Sequence, residues 1–202
     1  MLSSYSPKVE EYVKAGTLTA IEATSDTIGP GAYGAPFGAR FPALREQVES
    51  RSETIIVIGN KAKILQAPKL YLPDPKNLHM GWETKDRLEY IKKKGMDPKT
   101  TLLFNSHYHW RNAYQLVIPP HYLIKSDLYP KEEYGTNSLG LRVVQVPTQD
   151  IPKQLGQLEA SGLPACEWDT LGVRDWPADV KLSTAEGREK VLRDGWLRSN
   201  IW

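Results

Sequence analysis

Apolar residues in this chain come in short blocks, each soon interrupted by proline or glycine. Val9, Tyr12 and Val13 have helical spacing, Ser6 and Pro7 suit the start of a helix, and Gly16 suits its end, so a short helix is expected there. Thr17–Thr24 is rich in β-branched residues and partly alternating, which predicts a strand. Pro42–Ser50 reads as a helix. Ile55, Ile56, Val57 and Ile58 form an unbroken β-rich run. With Ala62–Leu65 they predict a hairpin turning at Gly59-Asn60, because glycine accepts the positive φ that a two-residue turn demands. Leu70–Leu72 adds a short strand before Pro73.

Thr84–Lys93 is expected to be a helix capped by Thr84, with Leu88 and Ile91 inward and Gly95 at its end. Lys92, Lys93 and Lys94 then fall where positive charge complements the helix dipole. Thr101–Phe104, Gln115–Ile118 and Leu141–Val146 read as strands. Apolar runs without alternation mark strands covered on both faces. Ile151, Leu155 and Leu158 recur on one helical face, and Gly162 closes that helix. Leu163–Asp179 is irregular, and Ser183-Thr184-Ala185-Glu186 is a capping box opening a helix to Asp194.

This order of elements predicts an α+β fold. A mainly antiparallel sheet would contain the hairpin, the two central runs and Leu141–Val146, with helices packed on one side and long Pro/Gly-rich and Trp-rich extended segments. Residues 1–202 read as a single domain in which 25–42 is an extended loop and 147–202 a helical, Trp-rich C-terminal extension.

Composition narrows the function. Hydrophobic residues make up 40% and charged residues 25%, enough for a packed core. A net charge of +2 lacks the concentrated basic face that phosphate neutralisation needs, so nucleic acid is not an expected partner. The single cysteine, Cys166, allows no intramolecular disulfide, and Glu167 beside it opposes a nucleophilic thiolate. No secretory signal and no apolar run of membrane-spanning length is visible, so a soluble chain, cytoplasmic or within an assembled particle, is expected.

Gly29-Pro30-Gly31-Ala32-Tyr33-Gly34 matches the G-x-G-x-x-G dinucleotide fingerprint in letters. That chemistry needs a helix opening directly on the turn, whereas Ala35-Pro36-Phe37-Gly38 follows, so extended chain is expected. The same residues, with Pro36 and Gly38-Ala39-Arg40, resemble the PGPGxY repeats of proteins that line axonemal microtubules, over one short segment that occurs once.

Three of the four histidines lie between Thr101 and Lys125. His107 and His109 would share a face if that segment were a strand, and His121 could return to it, with His79 or Glu133 as a further ligand. Cupins begin their metal motif with such a pair but add a carboxylate or glutamine four or five residues on, whereas Gln115 lies six residues beyond His109. In the metallo-β-lactamase-like HxHxDH motif an aspartate stands where this chain has Arg111, a cation that would repel a metal. Glu132-Glu133 could supply a general acid or base, and Glu133 is the catalytic candidate on the enzymatic reading.

The bland reading makes the same region a polar-aromatic contact surface. Tyr108 and Trp110, with Trp168, Trp176 and Trp202, are side chains of the kind that anchor interfaces. The preferred function is therefore a non-catalytic structural or interaction component of a larger assembly, such as a virion, a tail or a filament-associated complex. Its partners would be other protein subunits, copies of itself included, and it would need no cofactor. The alternative is a metal-dependent enzyme with a cupin-like site holding a divalent transition metal on His107, His109 and His121.

Overall fold

The apolar runs before and after the histidine-rich segment become the two central strands of a sheet. A computed structural model of the chain describes residues 7–20, 28–34, 53–73, 82–106, 114–131, 133–163 and 171–176. Its elements are α1 (Pro7–Ala15), β1 (Ala32–Gly34), β2 (Glu53–Ile58), α2 (Lys61–Gln66), β3 (Lys69–Tyr71), α3 (Thr84–Lys93), β4 (Leu102–Ser106), β5 (Tyr114–Ile118), β6 (Arg142–Pro147) and α4 (Ile151–Ala160). Strands run β1-β5-β4-β3 in one sheet and β2-β6 in a second. Only β3 and β4 are parallel, joined by α3 as a helical crossover, and the other pairings are antiparallel. The fold is α+β.

The four-stranded sheet is buried on both faces, which is why its strands do not alternate. Leu102, Phe104, Leu116, Ile118, Ala32 and Tyr71 face one core with Val9 and Tyr12 of α1 and Ile55 of β2. Leu70, Leu72, Leu103 and Val117 face the other, against Ile28 and Ile91 of α3. The helices, expected on one side, divide between these faces because each face needs an apolar cover. No helix among the described residues is long and apolar enough to cross a membrane.

The expected hairpin is not formed. Residues 61–66 are helical, and β2 takes β6 as its partner in full register from Glu53↔Pro147 to Ile58↔Arg142. Asn60 sits at φ −74°, not the positive φ of a hairpin turn, and its side chain accepts a hydrogen bond from the Lys63 amide at 3.2 Å. Asparagine acts here as a helix cap, and the lysines, alanine and leucine after it are good helix formers. A Cβ on Gly59 would stand 2.5 Å from Ile64 Cδ1, so that glycine serves close packing. With β6 taken by β2, the expected single sheet splits into two.

Smaller departures have local causes. Within Thr17–Thr24 the described half makes one parallel bridge, Thr19 to Ile124, with Ala20 N donating to Ile124 O at 2.8 Å. α3 is capped by Glu83, whose side chain makes no capping hydrogen bond, and Thr84 lies inside the helix. Its inward residues are Ile91 and Arg87, while Leu88 is half-buried. Gly95 and Gly162 end their helices at positive φ, as expected. The helices expected at Pro42–Ser50 and Ser183–Asp194 lie outside the described residues, as do most of the 25–42 loop and the C-terminal residues beyond Trp176.

Gly31 offers a test of this packing. At φ +136°, an added Cβ would meet Ile118 O at 2.2 Å, whereas at Gly16 (φ +66°) it would meet nothing. Gly31→Ala should cost about 3 kcal/mol or more and Gly16→Ala about 1 kcal/mol, read as urea unfolding free energies.

Candidate functional site

Of the residues proposed to hold a metal, His107 and His109 lie in the connection from β4 to β5, outside the described residues, together with Tyr108, Trp110, His79, Trp168, Trp202 and Cys166. His121 is exposed, on a 3-10 turn at Pro120–Tyr122, its ring edge-on to Tyr122 with centroids 5.1 Å apart. Glu133 is also exposed, and its carboxylate accepts a hydrogen bond from Lys99 Nζ at 2.9 Å. That carboxylate holds the Lys99 ammonium above its ordinary pKa. Among the described residues no three His, Cys, Asp or Glu side chains converge on one point.

The strand ends flanking the histidine-rich connection carry two buried amides, Asn105 on β4 and Gln115 opposite it on β5. Asn105 Nδ2 donates to Leu72 O at 2.6 Å and to Pro73 O at 3.3 Å. The amide thereby ties the chain leaving β3 to its neighbour.

The glycine motif closes on itself. Ile28 N and Gly29 N donate to the Tyr33 hydroxyl at 3.1 and 3.2 Å, and that hydroxyl donates to Gly29 O at 2.8 Å. Two amides that a phosphate would need are thus engaged, and β1 begins where a nucleotide fold would begin a helix. Both Gly29 and Gly31 lie at positive φ, pressed against Leu103 and the Ile118 backbone respectively.

Other buried polar groups hold backbone in the same way. Lys69, 3% exposed, donates from Nζ to Ile64 O, Leu65 O and Ala67 O at 2.6, 3.1 and 2.5 Å, so its ammonium caps the C-terminus of α2. Glu11 accepts from Ser126 Oγ at 3.0 Å and Asp127 N at 2.7 Å, fastening α1 to the loop after β5. Burial, then the Glu11 carboxylate, pushes the neighbouring Tyr12 hydroxyl far above the usual phenol range, so it stays protonated.

Trp176 is the one predicted interface residue among those described. It is half-buried, and its ring stands edge-on to Tyr71 and Phe104 at 5.6 and 5.7 Å. It lies in the described segment 171–176, a strap laid along the outer edge of β3. Arg174 N donates to Lys69 O at 3.0 Å, and Tyr71 N donates to Arg174 O at 2.9 Å. Leu171 is 4% exposed within the core. Asp175, at φ +59°, pairs with Lys94 Nζ and accepts from the Tyr90 hydroxyl at 3.0 Å, while the Arg174 guanidinium donates to Lys94 O. Lys94 Nζ also lies 5.2 Å from the Tyr90 ring centroid.

Sequence reasoning missed this clasp, since Lys94 was expected only to complement the helix dipole. Lys94 and Asp175 are too far apart in the chain for any local pattern to join them. Lys69 was missed because the helix it caps was read as a strand.

The chain belongs to a family of unknown function (DUF5910), whose model matches residues 26–173. No curated protein and no solved structure matches it.

The clasp carries a pH signature. Lys94 above all, then Tyr90 and Arg174, holds the Asp175 carboxyl below its ordinary pKa. A lowered folded pKa contributes stability above the ordinary carboxylate range, and this is lost as pH falls through that range towards the folded value. Asp175→Asn, which keeps the left-handed backbone acceptable, should unfold at lower urea than the wild type at neutral pH. The gap, small for so open a pair, should close in acid. Lys69→Met, which strips three carbonyls of their donor, should cost about 2 kcal/mol or more across the same pH range.

Proposed function

We propose that this member of the family is a non-catalytic structural or interaction component of a larger protein assembly, inside the cell or within an assembled particle. The reading rests on one observation: polar side chains in and around the core are engaged in holding the chain's own backbone, the buried Tyr12, Thr17 and Thr19 hydroxyls being left without a hydrogen-bond partner. Lys69 caps α2, Glu11 fixes the loop after β5, and Asn105 binds the segment after β3. Asn137 closes a turn on Leu141, donating from Nδ2 at 2.8 Å and accepting at Oδ1 at 2.6 Å. Such groups stiffen a fold. A general acid or base needs a proton free to move and a pKa near the working pH.

Apolar surface for a partner would come from Val13, Leu65, Leu128, Tyr134 and Leu163, which keep between 37% and 51% of their surface exposed. Tyr108, Trp110, Trp168 and Trp202 would add the aromatic anchors, and other protein subunits, copies of this chain included, would be the partners.

Light scattering tests this. The native particle should have a mass well above the 22.8 kDa of the lone chain, and a native monomer would reject the reading. Stoichiometric transition metal in the purified protein, lost in a His107→Ala/His109→Ala variant, would overturn it in favour of the metalloenzyme.

A further inference from the structure

We propose that internal water is a fixed component of this fold at the junction of α1, residues 17–20 and the loop after β5, with the Tyr12, Thr17 and Thr19 hydroxyls and the Glu11 carboxylate as its ligands. This goes beyond the assembly reading and does not depend on it. Three buried hydroxyls point to it. Tyr12, Thr17 and Thr19 are 2%, 7% and 1% exposed, and the hydroxyl oxygen of each is buried with no protein group bonded to it. Burial without a partner is costly enough that the large majority of such groups in folded proteins bond to protein or to ordered water.

Three elements meet at this junction. Residues 17–20 run beside the chain that follows β5. Thr19 bridges Ile124, Ala20 N donates to Ile124 O at 2.8 Å, and Ile124 N donates to Leu18 O at 3.2 Å. α1 is fastened to the next turn of that chain, where Glu11 accepts from Ser126 Oγ and Asp127 N. Val143 N donates to Gly16 O at 3.2 Å on the other side. These direct bonds fix the main chain and leave the three hydroxyls over.

Glu11 supplies an acceptor. It is 8% exposed, and among the described residues no cation pairs with it. Its direct hydrogen bonds, one to each oxygen, use two of the roughly four acceptor positions of a carboxylate. Burial first, then the charges of Glu11 and Tyr129, raise the pKa of the Tyr12 hydroxyl, which therefore stays protonated and able to donate. No direct bond joins Tyr12 to Glu11. A water accepting from the phenol and donating to the carboxylate serves both. Water also suits the two threonines, since it donates and accepts, whereas an apolar guest would leave every one of these groups unpaired.

NMR of the full chain tests this. Enclosed water stays long enough to exchange magnetisation with neighbouring protons, so the parent should show bound-water cross-peaks at Tyr12, Thr17 and Thr19. Tyr12→Phe, Thr17→Val and Thr19→Val each remove one hydroxyl at nearly constant shape. Each should weaken the cross-peak at its own site and lower the urea midpoint, because the water loses a ligand. A dry site behaves oppositely: deleting an unpartnered hydroxyl relieves its burial and raises the midpoint. The absence of these cross-peaks in the parent overturns the proposal, and so does a midpoint raised by the deletions. Neither result depends on particle mass, so light scattering decides the assembly reading separately.

Discussion

The structure depends on β4 and β5 being apolar on both faces. Leu102 and Phe104 point into one core while Leu103 points into the other, and across the ladder Leu116 and Ile118 are separated by Val117 in the same way. A strand pair of this kind cannot leave either side to water, since each exposed leucine-sized side chain would forfeit about 2 kcal/mol. Everything packed around it answers that constraint. α3 closes one face through Ile91, and α1 with the β2-β6 sheet closes the other.

Covering both faces leaves the polar backbone of loops and helix ends in dry surroundings, where an unpaired carbonyl or amide is costly. The fold answers with side chains. Lys69 reaches three carbonyls at the end of α2, Glu11 takes the Asp127 amide, Tyr33 closes the Gly29 turn, and Asn105 serves the chain leaving β3. These contacts span from two to more than a hundred residues of sequence, yet they do one job.

The edge of β3 is a different kind of problem. β4 satisfies one side of it, and among the described residues the segment 171–176 covers the other. The Lys94–Asp175–Tyr90 cluster fixes the strap's register, and Trp176 and Leu171 supply the apolar contact.

The sequence by itself determined those features whose causes are local. Proline and glycine punctuation marked the ends of α1, α3 and α4, the unbroken apolar runs marked doubly covered strands, and the Pro36 and Gly38 that follow Gly34 in sequence marked the glycine motif as extended chain. Tertiary structure decided the rest. Whether Lys61–Gln66 became strand or helix turned on Asn60 capping one end and Lys69 the other, against a strand partner that β6 had already claimed. Of the candidate site, the sequence offered Trp176 as a contact residue. Its setting against Tyr71 and Phe104, and the ionic clasp beside it, join residues about 70 to 105 positions apart, a separation over which no periodicity or spacing carries information. Only folding, which brings distant side chains within contact range, could write that part.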